Sequence, residues 1–266
     1  MIVVITGASG GIGFGIAKAL VNRGHIVYSF SRTKPQDERI RHIAVDISNR
    51  ESVNAAFTEF FQRETHIDIL VNNAGIGISG ASEFTTEQDM KKIFDVNFFG
   101  SVYCSQCVIP KMRASAGGKR RAPKIVFISS VGSTFTLPFQ TFYSATKTAI
   151  NSFAEGLLME LKPFGIKVGT ILPGDIRSNF SANREKDSRG EQEYGKRIEN
   201  SLAKMEKDEG RGQTADDAGK KIAKYISKKK LKPHKVLGLQ YKMLCVLDKI
   251  LSRKIIIKIL YKMYGK

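Results

Sequence analysis

With 266 residues and 42% apolar content, the chain can form one large domain around a real core. Its longest uninterrupted apolar runs are about five residues, as in MLCVL, where a spanning helix needs about 20, so no spanning helix is expected. The net charge of +18 resembles a nucleic-acid signal, but residues 220–266 hold fifteen Lys and Arg against one acid, Asp248, so the basicity belongs to a tail and no nucleic-acid partner is expected.

The chain opens directly on an apolar run, IVVIT (2–6), with no basic leader and no cleavage site, so no export signal is expected. TGASGGIG follows, with Gly7, Gly11 and Gly13 in a G-x-x-x-G-x-G pattern. Between a strand and a helix such a loop turns tightly, lets backbone approach a pyrophosphate, and aims the free N–H groups of the helix start at the anion. A helix is expected over 11–23, then strands at 25–31 and 42–47, a helix at 49–64, a strand at 67–75 and a long helix at 86–113. Cys104 and Cys107 fall on that helix; with no second pair and no nearby His they read, with Cys245, as reduced packed thiols in a cytoplasmic setting, and no metal is expected. The pattern continues with strands at 124–130 and 166–174, helices at 142–164 and 214–228, and a last strand at 234–239. Several of these strands are apolar nearly throughout. Strands buried on both faces and linked by helices predict an α/β fold: a Rossmann-type, doubly wound parallel sheet of about seven strands with helices on both faces.

YSATK (143–147) places Tyr143 and Lys147 four apart at the head of a helix, on one face. A free phenol ionises near pH 10 and is a poor proton donor or acceptor at neutral pH unless something shifts it. An ammonium one turn away is expected to favour the phenolate. By itself the pair is equally compatible with surface packing.

TGASGGIG, NNAG (72–75), YSATK and PGDIRS (173–178), in this order, resemble the short-chain dehydrogenase/reductase family, and within it the branch that includes 17β-hydroxysteroid dehydrogenase-like enzymes. The resemblance covers about residues 1–240 and implies hydride transfer between a nicotinamide cofactor and a carbonyl or alcohol. It implies that Tyr143 is the acid/base, Lys147 its tuning cation and Ser130 the hydroxyl on the developing alkoxide. Asn97 would hold a water that links Lys147 to solvent. It also implies cofactor contacts at Gly7, Ser9, Gly11, Ile12 and Gly13, at Asp46 and Ile47 for the adenine, and at Asn73, Ala74 and Gly75 along the nucleotide. Tyr143 and Lys147 join these contacts; Ile171, Pro173, Gly174 and Ile176 would shape the nicotinamide pocket, and Ser178 would lie near its carboxamide or phosphates. At the end of the second strand stand Ser31 and Arg32, where an NAD site usually carries an acid. A guanidinium can grip a 2′-phosphate through two hydrogen bonds, and Ser9 can add another, so NADP(H) is favoured over NAD(H). Gly10 stands where some NADPH-using relatives carry a lysine, which leaves the phosphate one cation.

Residues 1–238 are expected to form the catalytic domain, with a polar, mobile substrate lid at 175–213. Phe135 and Phe139 before Tyr143, and Phe180 in the lid, suggest a bulky apolar carbonyl or alcohol, lipid- or steroid-like. Residues 239–266 read as a pair of basic amphipathic helices that either lie on an anionic membrane, making the enzyme peripheral, or dock over the substrate cleft. A homodimer or homotetramer is expected from the resemblance. The competing classes are a nucleotide-binding sensor that has lost turnover and a membrane-associated scaffold; intact Ser130, Tyr143 and Lys147 argue against the sensor.

Overall fold

The structure, a computed structural model, describes residues 1–115 and 121–266. Among them the chain begins β1 (Ile2–Thr6), α1 (Gly11–Val21), β2 (Ile26–Ser31), β3 (Arg41–Ala44), α2 (Arg50–Arg63), β4 (Ile69–Asn72) and β5 (Ile78–Ser79). It continues through α3 (Glu87–Phe94), α4 (Gly100–Ser115), β6 (Lys124–Ile128), α5 (Thr141–Leu161) and β7 (Lys167–Leu172). The lid holds β8 (Ile176–Arg177), α6 (Asn179–Ala182), β9 (Glu185–Lys186), α7 (Glu191–Tyr194), α8 (Arg197–Arg211) and β10 (Gln213–Thr214). Helix α9 (Ala215–Ile226), strand β11 (His234–Val236) and helices α10 (Leu239–Ile250) and α11 (Arg253–Tyr264) complete it.

Seven strands form one parallel sheet in the order β11-β7-β6-β4-β1-β2-β3. Strand β1 is apolar through Ile5 and buried at all five positions, as a central parallel strand should be. Alternate side chains serve opposite faces: Ile2 and Val4 join the core that α2, α4 and α5 cover, Val3 and Ile5 the core that α1 and α9 cover. After β1 the chain winds outward through β2 and β3, then returns to pair β4 on the other side of β1. That reversal opens a crevice at the carboxyl ends of β1 and β4, where open α/β sheets bind ligands.

Local differences from the sequence reading have physical causes. Strand pairing stops at Asn72, Ile128 and Leu172, before the expected ends at 75, 130 and 174. The residues beyond, Asn73–Gly75, Ser129–Ser130 and Pro173–Gly174, turn into loops on the crevice. The helix expected over 86–113 is interrupted by a π turn at Asp95–Phe99, which carries Asn97; single π turns gather at functional sites. The lid is more ordered than a polar loop. Helix α8 presents Ile198, Leu202 and Met205, at i, i+4 and i+7, to a small separate core with Ala81 and Phe139. The two-residue parallel pair of β5 with β9 ties the lid to the body, and the pair of β8 with β10 closes the base of the lid on itself.

The C-terminal helices fold back onto the lid. Ile256 is buried, the Tyr264 hydroxyl donates to Asp208 Oδ2 at 2.9 Å, Arg197 Nε donates to the Gly265 carbonyl at 2.9 Å, and Arg253 Nη2 to the Thr134 carbonyl at 3.0 Å. Helix α10 buries no residue fully. Leu239, Met243, Leu244, Val246, Leu247 and Ile250 along it are exposed, as are Ile255, Ile257 and Ile259 on α11. No helix among the described residues is long and apolar enough to cross a membrane.

Candidate active site

The glycine loop joins β1 to α1 at the mouth of the crevice. Gly7 has φ +66° and Gly11 φ +55°, both in the left-handed region that favours glycine. A methyl on Gly7 would stand 2.9 Å from Ala74 Cα, and one on Gly13 would collide with Asn73 Nδ2 and the Gly7 carbonyl, so loop, helix and β4 end pack backbone to backbone. At Gly10 and Gly11 the added methyl meets open space. Gly10 caps α1 without a side-chain bond, leaving the first N–H groups of the helix to an outside acceptor. The Thr6 hydroxyl accepts from the N–H of Asn73 (2.9 Å) and Ala74 (3.0 Å), and Asn73 Nδ2 donates to the Thr6 carbonyl at 2.9 Å. The Asn73 side chain thus holds the loop in place. A shape that accepts a pyrophosphate is built in, and the residues fit a dinucleotide.

At the end of β2, Ser31 is buried: its hydroxyl donates to the Thr33 carbonyl at 2.8 Å and shares a hydrogen bond with Ser29. Arg32 is exposed, with no hydrogen bond or ion pair among the described residues. Asp46 lies in the exposed turn after β3, where its Oδ1 accepts from the N–H and hydroxyl of Ser48, and Ile47 packs on Gly100. Ser9 and Ile12 are half-buried along the glycine loop.

Ser130 follows β6 and caps a short 3₁₀ turn, its Oγ accepting from Gly132 N at 3.0 Å. A methyl on Gly132 would lie 3.3 Å from Ser130 Oγ and 3.7 Å from Tyr143 Cε1, so serine and tyrosine are neighbours. Tyr143 and Lys147 sit in the first two turns of α5, with Lys147 Nζ 5.7 Å from the centre of the Tyr143 ring. Lys147 is buried and donates to the Ile128 carbonyl at 3.0 Å; burial lowers its pKa to about 8. The Tyr143 phenol is pushed above its ordinary value, chiefly by burial, against the Ser130 side chain, which lowers it. The sequence reading expected the lysine to dominate. Desolvation of the phenolate outweighs it, because the ammonium lies over the ring and points at a carbonyl.

Asn97 is fully buried in the π turn: Oδ1 accepts from Ile76 N at 2.8 Å, and Nδ2 donates to the Ile76 carbonyl (3.0 Å) and to Thr146 Oγ1 (3.1 Å). A methyl on Gly75 would stand 3.2 Å from Asn97 Oδ1 and 3.5 Å from Lys147 Nζ, which puts Asn97, Gly75 and Lys147 in one cluster. On the lid side, Ser178 caps α6, accepting from Phe180 N at 3.3 Å, and Ile176 is buried in the β8–β10 pair.

Of the three phenylalanines, Phe180 has its ring 5.6 Å from that of Tyr143. Phe139 is directed elsewhere: it is 6% exposed, lies in the small core that seats the lid, and meets Tyr194 edge to face. Its φ of +60° is a strained value for a bulky residue. Phe135 is half-buried in the turn before α5.

Two groups escaped the sequence reading. Tyr241, on α10, packs so closely on Gly174 that any side chain there would meet its ring; its hydroxyl donates to Asp175 Oδ2 (2.6 Å) and accepts from Asp175 N (3.0 Å). Burial and the carboxylate raise this phenol to about 12. Its one signal was an aromatic in a stretch otherwise read as amphipathic. Arg184, on the lid, is buried and pairs with Glu209 on α8; in a charge-rich run nothing distinguishes it.

The family model described as short chain dehydrogenase matches residues 1–189. A 3-ketodihydrosphingosine reductase of Bacteroides thetaiotaomicron is 39% identical over 86% of this chain and 84% of its own. A probable short-chain type dehydrogenase/reductase of Helicobacter pylori is 30% identical over 93% and 92%. Among solved structures, a short-chain dehydrogenase from Streptomyces avermitilis superposes with a TM-score of 0.80 at 26% identity, covering 94% of this chain and 92% of the other. A 3-ketoacyl-(acyl-carrier-protein) reductase from Brucella melitensis, complexed with NADH, shares the fold at 24% identity with a TM-score of 0.74, over 89% and 96%.

Proposed function

We propose a substrate class and a cofactor from one premise: this chain belongs to the short-chain dehydrogenase family, and is an NAD(P)-dependent oxidoreductase acting on a carbonyl or an alcohol. Its reaction is the NADPH-dependent interconversion of a ketone and a secondary alcohol on a long apolar substrate. The observation that carries this reading is the meeting of Ser130, Tyr143 and Lys147 beside the glycine cradle, under the Phe180 ring. The reductase of Bacteroides thetaiotaomicron, with a lipid ketone in its name, supports the substrate class.

Gly7, Ser9, Gly11, Ile12 and Gly13 would hold the pyrophosphate side of the cofactor, Asp46 and Ile47 the adenine, and Asn73–Gly75 the middle of the nucleotide. Pro173, Gly174, Ile176 and Ser178 would border the nicotinamide. Arg32, exposed and unpaired among the described residues at the end of β2, supports preference for a 2′-phosphate. Bound cofactor supplies the hydride. In the reducing direction Tyr143 gives its phenolic proton to the carbonyl oxygen, while the Ser130 hydroxyl donates a hydrogen bond to the same oxygen as charge develops there. Lys147 stabilises the phenolate left behind. Asn97 holds a water through which the proton is replaced from solvent. In the oxidising direction the phenolate takes the alcohol proton.

The exposed apolar rows of α10 and α11, with exposed Lys242, Lys249, Lys254, Lys258 and Lys262 beside them, support peripheral attachment to an anionic membrane from the cytoplasmic side. The tail both docks on the lid and leaves this face outward, so the two alternatives of the sequence reading are compatible. Exposed Phe99, Met159 and Phe164 along the α4–α5 side would seat a second copy in a homodimer or homotetramer.

The test is mass spectrometry of lipid extracted from the purified protein, followed by turnover with NADPH and NADH on the recovered scaffold as ketone and as alcohol. NADPH-dependent reduction of a long-chain ketone is expected; oxidation of neither cofactor by any long-chain ketone refutes the reading.

A further inference from the structure

Arg184 is the most enclosed charge near Tyr143 that the reaction above leaves unused. Its side chain has no exposed surface. Nη2 pairs with Glu209 Oε1, and the other Glu209 oxygen accepts from the Ser181 hydroxyl. In the amide orientation that satisfies both groups, the Gln140 oxygen accepts from Arg184 Nε at 3.0 Å and Nη2 at 3.3 Å. Nη1, buried, has no partner among the described residues. The guanidinium lies 5.8 Å from the centre of the Phe180 ring, which also neighbours Tyr143, and both Arg184 and Glu209 act electrostatically on the Tyr143 phenol.

Buried N–H groups on a charged side chain are almost always paired, and the exceptions call for an explanation. Here the exception has a location: one ring away from the reacting centre, on a lid tied to the body by the two-residue β5–β9 pair. A free guanidinium N–H requires an acceptor, and so an oxygen. Glu209 already neutralises Arg184 and leaves the pair without net charge, which disfavours a carboxylate as the incoming group. A hydroxyl or neutral carbonyl oxygen remains.

We propose that Arg184, with Glu209 and Gln140 holding its guanidinium, is a specificity-determining site on the lid that takes a neutral oxygen substituent a few bonds from the reacting carbonyl, so that the substrate is an oxygen-bearing amphiphilic ketone rather than a plain hydrocarbon ketone. Phe180 lies against the reacting end, and Arg184 reads the polar group beside it. The proposal rests on the ketone-reductase reading and deepens it.

The experiment uses the full chain with NADPH and three ketones of equal length: an unsubstituted ketone, one carrying a hydroxyl two carbons from the carbonyl, and a γ-keto acid. The wild type should favour the hydroxyketone over the plain ketone by about tenfold or more in kcat/KM, because a site built for a hydrogen bond rejects the analogue that lacks it. R184M should abolish most of that ratio. E209Q, which leaves the guanidinium unneutralised, should shift preference several-fold toward the keto acid. R184K keeps the cation but loses the forked N–H groups; it should also lose the ratio, and it serves if R184M does not fold. Equal losses on all three ketones would make Arg184 a structural pair and overturn the proposal, as would a wild type indifferent to the hydroxyl. A wild type that turns over none of the three refutes the reductase reading itself.

Discussion

The cofactor half of the crevice and the substrate half are built on opposite plans. Around β1, α1 and β4 side chains tie the loops to one another: Thr6 holds Asn73 and Ala74, Asn73 holds the glycine loop, and Asn97 holds Ile76, while the first N–H groups of α1 and the buried Asn72 Oδ1 keep no partner among the described residues. Around the lid and the last two helices, a buried guanidinium keeps a free nitrogen, two-residue strands do the stitching, and apolar side chains face outward. The first half is preorganised for one ligand common to a family. The second is held by short strand pairs and leaves apolar surface uncovered, features that go with the less stable parts of a fold.

The sharpest break lies at the cluster of Ser130, Tyr143 and Lys147. Tyr143→Phe should lower kcat for ketone reduction by about 100-fold or more, the scale of positioned acid–base help, and leave the Kd for NADPH near wild type. Steady-state kinetics beside a cofactor titration read both. Comparable losses in the two would mean that Tyr143 belongs to the binding half alone.

Arg32→Ala attacks the cofactor half at its exposed edge. NADPH should bind about tenfold more weakly or worse, the scale of a hydrogen bond to a charged group, while NADH changes little. Isothermal titration of both nucleotides into both proteins checks this, and equal weakening of the two would remove the 2′-phosphate argument.

Next comes a pH effect. Burial lowers Lys147 from 10.5 to about 8, so it is charged below that pH and neutral above it. Tyr143, shifted upward, stays protonated across the same range. Reduction needs the phenolic proton and the nearby cation together, so kcat/KM should be level below about pH 8 and fall by up to about tenfold per unit above it. A profile that stays level to pH 10 would separate Lys147 from the proton path.

The smallest effect concerns the tail. Lys258→Gln should weaken cosedimentation with anionic liposomes by roughly fivefold at low salt, the scale of one basic residue near such a surface, with little change in activity on a short ketone. High salt should release the wild type. Absence of any preference for anionic over neutral liposomes would leave the outward apolar rows of α10 and α11 to a protein partner.

The same division governs how much could be read from the sequence. The sheet was legible because β1, β4, β6 and β7 are buried on both faces and therefore apolar nearly throughout. The glycine loop was legible because only glycine tolerates the backbone angles at Gly7 and Gly11. The strand ends were not, since Asn73–Gly75 and Pro173–Gly174 continue the small or apolar pattern after pairing has ended. The π turn was invisible because one extra residue per turn barely disturbs a helical pattern. Helix α8 did carry its signal, in Ile198, Leu202 and Met205, but Lys and Glu in between made the stretch resemble a loop. The pairing of Arg184 with Glu209, and the seating of Tyr241 on Gly174, join residues 25 and 67 positions apart. Such contacts are made by the tertiary fold, and no local pattern announces them.

The central claim, hydride transfer to a lipid-like ketone with Tyr143 supplying the proton, is tested most directly with NADPH deuterated at the transferable position of the nicotinamide. The full chain is incubated with a long-chain ketone, and the product alcohol is analysed by mass spectrometry. One deuterium on the carbinol carbon, formed by the wild type and slowed by about 100-fold or more in Tyr143→Phe, is the predicted result. An alcohol without deuterium, or label transferred at the wild-type rate by the phenylalanine variant, would contradict it.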